Sequence, residues 1–150
     1  MQAQEIMTPD PMCAEPNTPL HQVAQMMVDY DCGGIPVCAT GSRKLVGFLT
    51  DRDIVCRILA KGMNPLEKTA QDAMTSEIHT VFPETQVDDL IQRMEQYKVR
   101  RMPVIDSQGN IVGIIAQADL VRRAVSQQPE LLEEVEEALE VISEPTRAFM

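Results

Sequence analysis

The stretch Leu45-Val46-Gly47-Phe48-Leu49-Thr50-Asp51-Arg52-Asp53 returns as Ile111-Val112-Gly113-Ile114-Ile115-Ala116-Gln117-Ala118-Asp119. In each case an apolar run carries a glycine at its third position and leads to a carboxylate at its ninth. Working backwards, Ile35-Pro36-Val37 precedes the first copy and Met102-Pro103-Val104 the second. Further back, Met7-Thr8 and Met74-Thr75 open the two copies. The chain is an internal duplication, and a unit repeated once is expected to fold as two copies that cover each other's apolar faces, with related sites in the groove between them.

Composition bounds the classes that remain. At 150 residues and 44% hydrophobic content the chain is globular and of single-domain size. Aromatics make up 3% and Trp is absent, so Val, Ile, Leu, Ala and the ten Met must build the core. The net charge is −10, and residues 127–150, with seven Glu against one Arg, hold most of it. Such acidity argues against nucleic-acid binding, which depends on Lys and Arg displacing counterions from phosphates. Charged, polar or Pro residues break every apolar run in residues 1–25, and no run approaches the ~20 residues of a membrane span, so a cytoplasmic protein without a membrane partner is expected. The four cysteines, at 13, 32, 38 and 56, contain no Cys-x-x-Cys pair and read as small buried hydrophobes or partly exposed thiols.

Periodicity gives the elements. Leu20, Val23, Ala24, Met27 and Tyr30 recur at helical spacing, as do Val87, Leu90, Ile91, Met94 and Tyr97 sixty-seven residues later. Thr18 and Thr85 read as the starts of these helices, the latter with Asp88 three residues on. Short strands follow at 35–38 and 45–49, and again at 102–105 and 111–115, joined by links of hairpin length. Helices at 53–61 and 119–126 should lay Ile54, Val55, Ile58 and Leu59, and Leu120, Val121, Ala124 and Val125, on the sheets. The organisation predicted is a first repeat over 1–61, a linker over 62–73, a second repeat over 74–126 and a helical tail over 127–150. Leu131, Leu132, Val135, Ala138, Leu139 and Ile142 give that tail an apolar stripe, which either caps this chain's own core or packs on a second subunit.

Thr50-x-x-Asp53 admits two readings. A hydroxyl, a carboxylate and unpaired helix-start N–H groups in one corner suit a sugar phosphate, the carboxylate accepting ribose hydroxyls. The same pair is also a capping box that needs no ligand. In the second copy Ala116 replaces the hydroxyl while Asp119 remains, so two unequal sites are expected, the first better suited to phosphate.

The repeated unit, Met-Thr, then apolar-Pro-Val, then apolar-Val-Gly-apolar-apolar-Thr-x-x-Asp, resembles the CBS domain. The tandem, covering residues 5–126, resembles a CBS pair or Bateman module, most closely the small stand-alone bacterial type that includes hypoxic-response proteins. That resemblance implies an α+β fold of two strand-helix-strand-strand-helix repeats related by a pseudo-twofold axis, here with an added acidic amphipathic C-terminal helix. It implies a regulator rather than an enzyme, with clefts for AMP, ADP, ATP or another adenosyl ligand and assembly as a homodimer. Carried over residue by residue, Asp53 and Asp119 would hold ribose, with Thr50 and Arg52 toward the phosphate. Thr8, Met12, Cys13, Ile35 and Pro36 would shelter adenine in the first copy, and Thr75, His79, Thr80, Met102 and Pro103 in the second. Lys98, Arg100 and Arg101, the one dense basic cluster, either satisfy a helix C-terminus or face phosphate.

No nucleophile is paired with a base and no phosphate loop is present, so no catalytic residue is assigned and no cofactor is required. The spacings of His21, His79 and the cysteines match no metal-ligand pattern. Two functions stand: an adenosyl-ligand sensor acting on an unidentified regulated protein or on its own oligomer, or a ligand-free dimerisation scaffold, with a metal-binding protein a more distant third.

Overall fold

The structure is a computed structural model, described here over residues 1–145. The chain divides into two compact units, one of residues 1–9, 79–106 and 112–145, the other of residues 10–78 and 107–111. Residues 146–150 of the expected tail lie outside the described residues.

In the second unit, α2 (Leu20–Asp29) precedes the antiparallel hairpin β2 (Gly34–Cys38) and β3 (Leu45–Thr50), in register Gly34↔Thr50 through Val37↔Gly47 with a bulge at Val37/Cys38. α3 (Asp51–Asp53) follows β3 directly and runs on through a π-helical turn, Ile54–Ile58, and a 3₁₀ turn, Leu59–Lys61. Gly62, at φ 74, ends it in the left-handed conformation glycine adopts without cost. A 3₁₀ turn, Pro65–Glu67, and α4 (Ala70–Ala73) complete the unit, whose core joins Leu20, Val23, Ile35, Val37, Leu49, Ile58 and the small Ala70 and Ala73.

The first unit repeats the plan. α1 (Ala3–Ile6) and β1 (Thr8–Pro9) precede α5 (Val87–Tyr97), β4 (Arg101–Ile105) and β5 (Ile111–Ala116), in the strand order β1-β5-β4. α6 (Gln117–Asp119), a π turn Leu120–Ala124 and α7 (Val125–Gln127) continue from β5. A 3₁₀ turn, Pro129–Leu131, leads to α8 (Leu132–Ser143). Here the tail has one answer: Leu131, Val135, Ala138 and Ile142 lie in the same core as Leu90, Ile91 and Met94 of α5, so the helix caps its own chain. Ile91 is fully buried, whereas Ala24, sixty-seven residues earlier on α2, is exposed. The larger side chain stands where a second helix covers it.

Four expectations are corrected. Thr18 and Thr85 do not cap α2 and α5, whose flanking residues are Pro19 and Gln86. Their hydroxyls instead accept the N–H of Glu15 at 2.8 Å and of Phe82 at 3.0 Å, closing the preceding turns. Val55, Leu59 and Val121 do not lie on the sheets: they are 52%, 58% and 46% exposed, while Ile54 and Ile58 face the core. Leu132 is likewise exposed. The leading strand of each copy is reduced to single parallel bridges, Ala14↔Val37 and Val81↔Val104, since Pro11, Pro16 and Pro83 offer no N–H to extend a ladder.

Candidate functional site

In the second unit β3 ends at Thr50 in extended conformation, and Asp51 N–H donates to Gly33 O at 3.0 Å, fixing the turn into α3. Thr50 Oγ1 accepts the N–H of Asp53 at 3.1 Å, and Asp53 Oδ2 accepts the N–H of Thr50 at 2.9 Å. The capping box is formed. The other carboxylate oxygen lies 3.8 Å from Nε of Arg57, whose Nη1 donates to the carbonyls of Ala73 at 3.1 Å and Met74 at 2.9 Å. Thr75 in turn exchanges two backbone hydrogen bonds with Phe48, at 2.8 and 2.9 Å. A Cβ on Gly47 would collide with the sulfur of Met74, so the glycine lets that methionine lie flat on the strand.

The first unit builds the same device from the other opening segment. Asp119 Oδ2 accepts the N–H of Ala116 at 2.7 Å and Oδ1 lies 3.5 Å from Nε of Arg123. Arg123 Nη1 donates to Ile6 O at 3.0 Å and Met7 O at 2.7 Å, and a Cβ on Gly113 would strike the sulfur of Met7. Thr8 pairs with Ile114 on β5. Half a capping box thus survives without its hydroxyl, because the carboxylate satisfies the strand-end N–H by itself. Both carboxylates are mostly enclosed, at 18% and 16% exposure.

The opening threonines therefore change places. Thr8 is in the unit of His79, Thr80, Met102, Pro103 and Asp119, and Thr75 is in the unit of Met12, Cys13, Ile35, Pro36, Thr50, Arg52 and Asp53. Ile35 and Met102 are core side chains at 2% and 0% exposure, and Pro36 and Pro103 are buried in the same strands. Met12 and Thr8 are exposed, and Cys13 and Thr75 half-buried. His79 stacks on Tyr97 with ring centroids 3.6 Å apart and planes 7° from parallel. Of the basic cluster, Lys98 stands at the left-handed C-cap of α5 and its ammonium pairs with Glu144 at 2.9 Å. The Arg100 carbonyl accepts the N–H of Gln117 at 3.1 Å, while Arg101 opens β4. Arg57 and Arg123 were not singled out in the sequence, although an Asp-x-x-x-Arg pair at helical i,i+4 spacing in both copies was the available signal.

Two equivalent corners, each on a hairpin that runs into a helix and each latched to the opening segment of the other copy, define a tandem-repeat module. The chain belongs to the CBS domain family, whose model matches residues 3–60 and 70–126. It is 38% identical over 120 residues to hypoxic response protein 1 of Mycobacterium tuberculosis, covering 80% of this chain and 82% of that one. A crystal structure of Hypoxic Response Protein I with two coordinated zinc ions superposes with a TM-score of 0.73 at 36% identity, over 82% of this chain and 98% of that chain. A CBS domain pair solved with 5′-methylthioadenosine and S-adenosyl-L-methionine superposes with a TM-score of 0.73 at 26% identity, over 81% of this chain and 98% of that one. Among the described residues no group of three or more His, Cys, Asp or Glu is placed to hold a metal ion, and no helix is long and apolar enough to cross a membrane.

Proposed function

We propose that the chain is a regulatory CBS pair that binds an adenosine-type ligand, AMP, ADP, ATP or a sulfonium or thioether relative, and transmits its occupancy to a partner protein or to its own homodimer. The observation that carries this reading is the helix-start corner at Thr50 and Asp53, in a chain similar to a CBS pair solved with two adenosyl compounds. Asp53 supplies acceptors for ribose, and Thr50 with Arg52 the groups nearest a phosphate. Ala116 lacks that hydroxyl, so the corner at Asp119 is the weaker phosphate site. Signalling requires that the ligand favour one arrangement of the module over another.

The scaffold reading has its own observation: the cap and Arg57 already occupy Asp53, and Val55 and Leu59, one turn apart, are exposed. A thermal-shift screen against AMP, ADP, ATP, S-adenosylmethionine and methylthioadenosine separates the two. A ligand at one hundred times its Kd adds about 2.7 kcal/mol to folding stability. Asp53→Asn, which keeps an acceptor for the Thr50 N–H, should abolish that gain at the first corner. No stabilisation by any of the five compounds overturns the sensor reading.

A further inference from the structure

Away from the corner, Pro11 to Glu15 runs beside β2, and the parallel bridge Ala14↔Val37 sets the flanking Cys13 and Cys38 on one face. Both line an open cavity of about 470 Å³, with Met12, Glu15 and Arg43 on its walls. Arg43 is held over them: Nη1 and Nη2 each donate to Pro11 O at 3.1 Å, and Nη1 reaches Cys13 Sγ at 3.2 Å. As a thiol, Cys13 donates to Pro11 O at 3.5 Å. As a thiolate it accepts from the Cys38 thiol, which holds Cys13 below the usual thiol range, with the Arg43 guanidinium adding to the effect against the cost of burial. The same hydrogen bond, with burial, pushes Cys38 up. Cys13 thus faces the cavity under a guanidinium, with Cys38 beside it on the same face. Cys32 and Cys56 have no such setting among the described contacts.

We infer that Cys13 and Cys38 are a redox-active dithiol that small disulfides oxidise reversibly, closing a bond that fastens residues 11–15 to β2. The Cys13 thiolate attacks one sulfur of a disulfide such as oxidised glutathione, forming a mixed disulfide and expelling one thiolate, which takes the Cys38 proton. The Cys38 thiolate then attacks the Cys13 sulfur and expels the second, which takes from water the proton that Cys13 released on ionising. The protein dithiol loses two electrons and two protons, and one disulfide becomes two thiols. The inference stands on the cysteine geometry and is independent of the ligand reading.

The test is to equilibrate the full chain across glutathione buffers from fully reduced to fully oxidised, acid-quench, alkylate and map the peptides. The expected product is a Cys13–Cys38 cross-link, two hydrogens lighter than the dithiol and reversed by reductant, with Cys32 and Cys56 still outside any link. Cys38→Ser should trap glutathione on Cys13, whereas Cys13→Ser should leave Cys38 unmodified. Arg43→Met should slow alkylation of Cys13 several-fold at neutral pH and leave Cys56 unchanged. Cys13 and Cys38 that stay alkylatable in the most oxidising buffer, or that link to other cysteines or between chains, overturn the inference.

Discussion

Replacing Arg57 with Met removes the group that ties Asp53 to the opening segment of the second copy. The substitution keeps most of the aliphatic stem and deletes two donors, to Ala73 O at 3.1 Å and Met74 O at 2.9 Å, together with the 3.8 Å pairing to Asp53. A hydrogen bond from a charged donor contributes about 1.5–3 kcal/mol when enclosed. The Arg57 side chain is 42% exposed, so water replaces part of each bond and the ion pair adds only the ~0.3–0.5 kcal/mol of an exposed helical i,i+4 pair. The expected loss is about 1–2 kcal/mol, or a fall in Tm of about 2–8 °C for a chain of this size. Asp53 retains its bond from the Thr50 N–H, so no bare charge is left behind. The loss should be local first: amide exchange at Phe48 and Thr75, which exchange backbone hydrogen bonds, should quicken more than exchange across the β2–β3 pairs. Arg123→Met should do the same to the pairing of β1 with β5. An Arg57→Met protein with unchanged Tm and unchanged exchange at Thr75 would refute the latch.

Gly47→Ala and Gly113→Ala force Met74 and Met7 off their strands and should each cost about 1–3 kcal/mol in urea denaturation, with Met74→Ala relieving the first. Ile142→Ala should cost about 2 kcal/mol, the low end for a buried Ile because it lies in the last turn of α8; no loss would mean that the helix does not dock on α5. Burial, with Asp88, Glu95 and Glu137 nearby, holds the Glu134 carboxyl above its ordinary value. The folded state therefore binds its proton more tightly than the unfolded chain, and this stabilisation, complete below the ordinary value of 4.5, is lost as pH rises through the raised one. Glu134→Gln should accordingly raise Tm at neutral pH and not in acid. Asp72 has the opposite sign: the Thr69 backbone N–H holds it low, so its contribution is present above 3.8 and is lost as pH falls through the lowered value, a limb of the stability curve that Asp72→Asn should flatten.

The hairpins were legible because short apolar runs such as 45–49 and 111–115, bounded by turn residues, leave little else for those residues to be. The carboxylate corner was legible for the same reason, since Thr50 and Asp53 form the local box their spacing allows. What was hidden is non-local or turns on which side of a helix meets the core. Thr18 can close a turn or cap a helix with the same hydroxyl, and Pro19 at the helix boundary, not the threonine, marks where α2 begins. Val55 and Leu59 share the helical spacing of Ile54 and Ile58, yet only the latter two reach the core. The pairing of Met74 with Gly47, and of Met7 with Gly113, joins residues of different copies, which no local pattern records. That exchange also moves Thr8 and Thr75 to the opposite corners from those their own repeats suggest.

The most direct measurement is the stoichiometry of adenosyl-ligand binding by titration calorimetry on the intact chain. The account predicts one preferred site per chain for a phosphorylated ligand, weakened by Thr50→Ala and lost in Asp53→Asn, while Asp119→Asn leaves it in place. Two equal sites, or no heat with AMP, ADP, ATP, S-adenosylmethionine or methylthioadenosine at millimolar concentration, would contradict it.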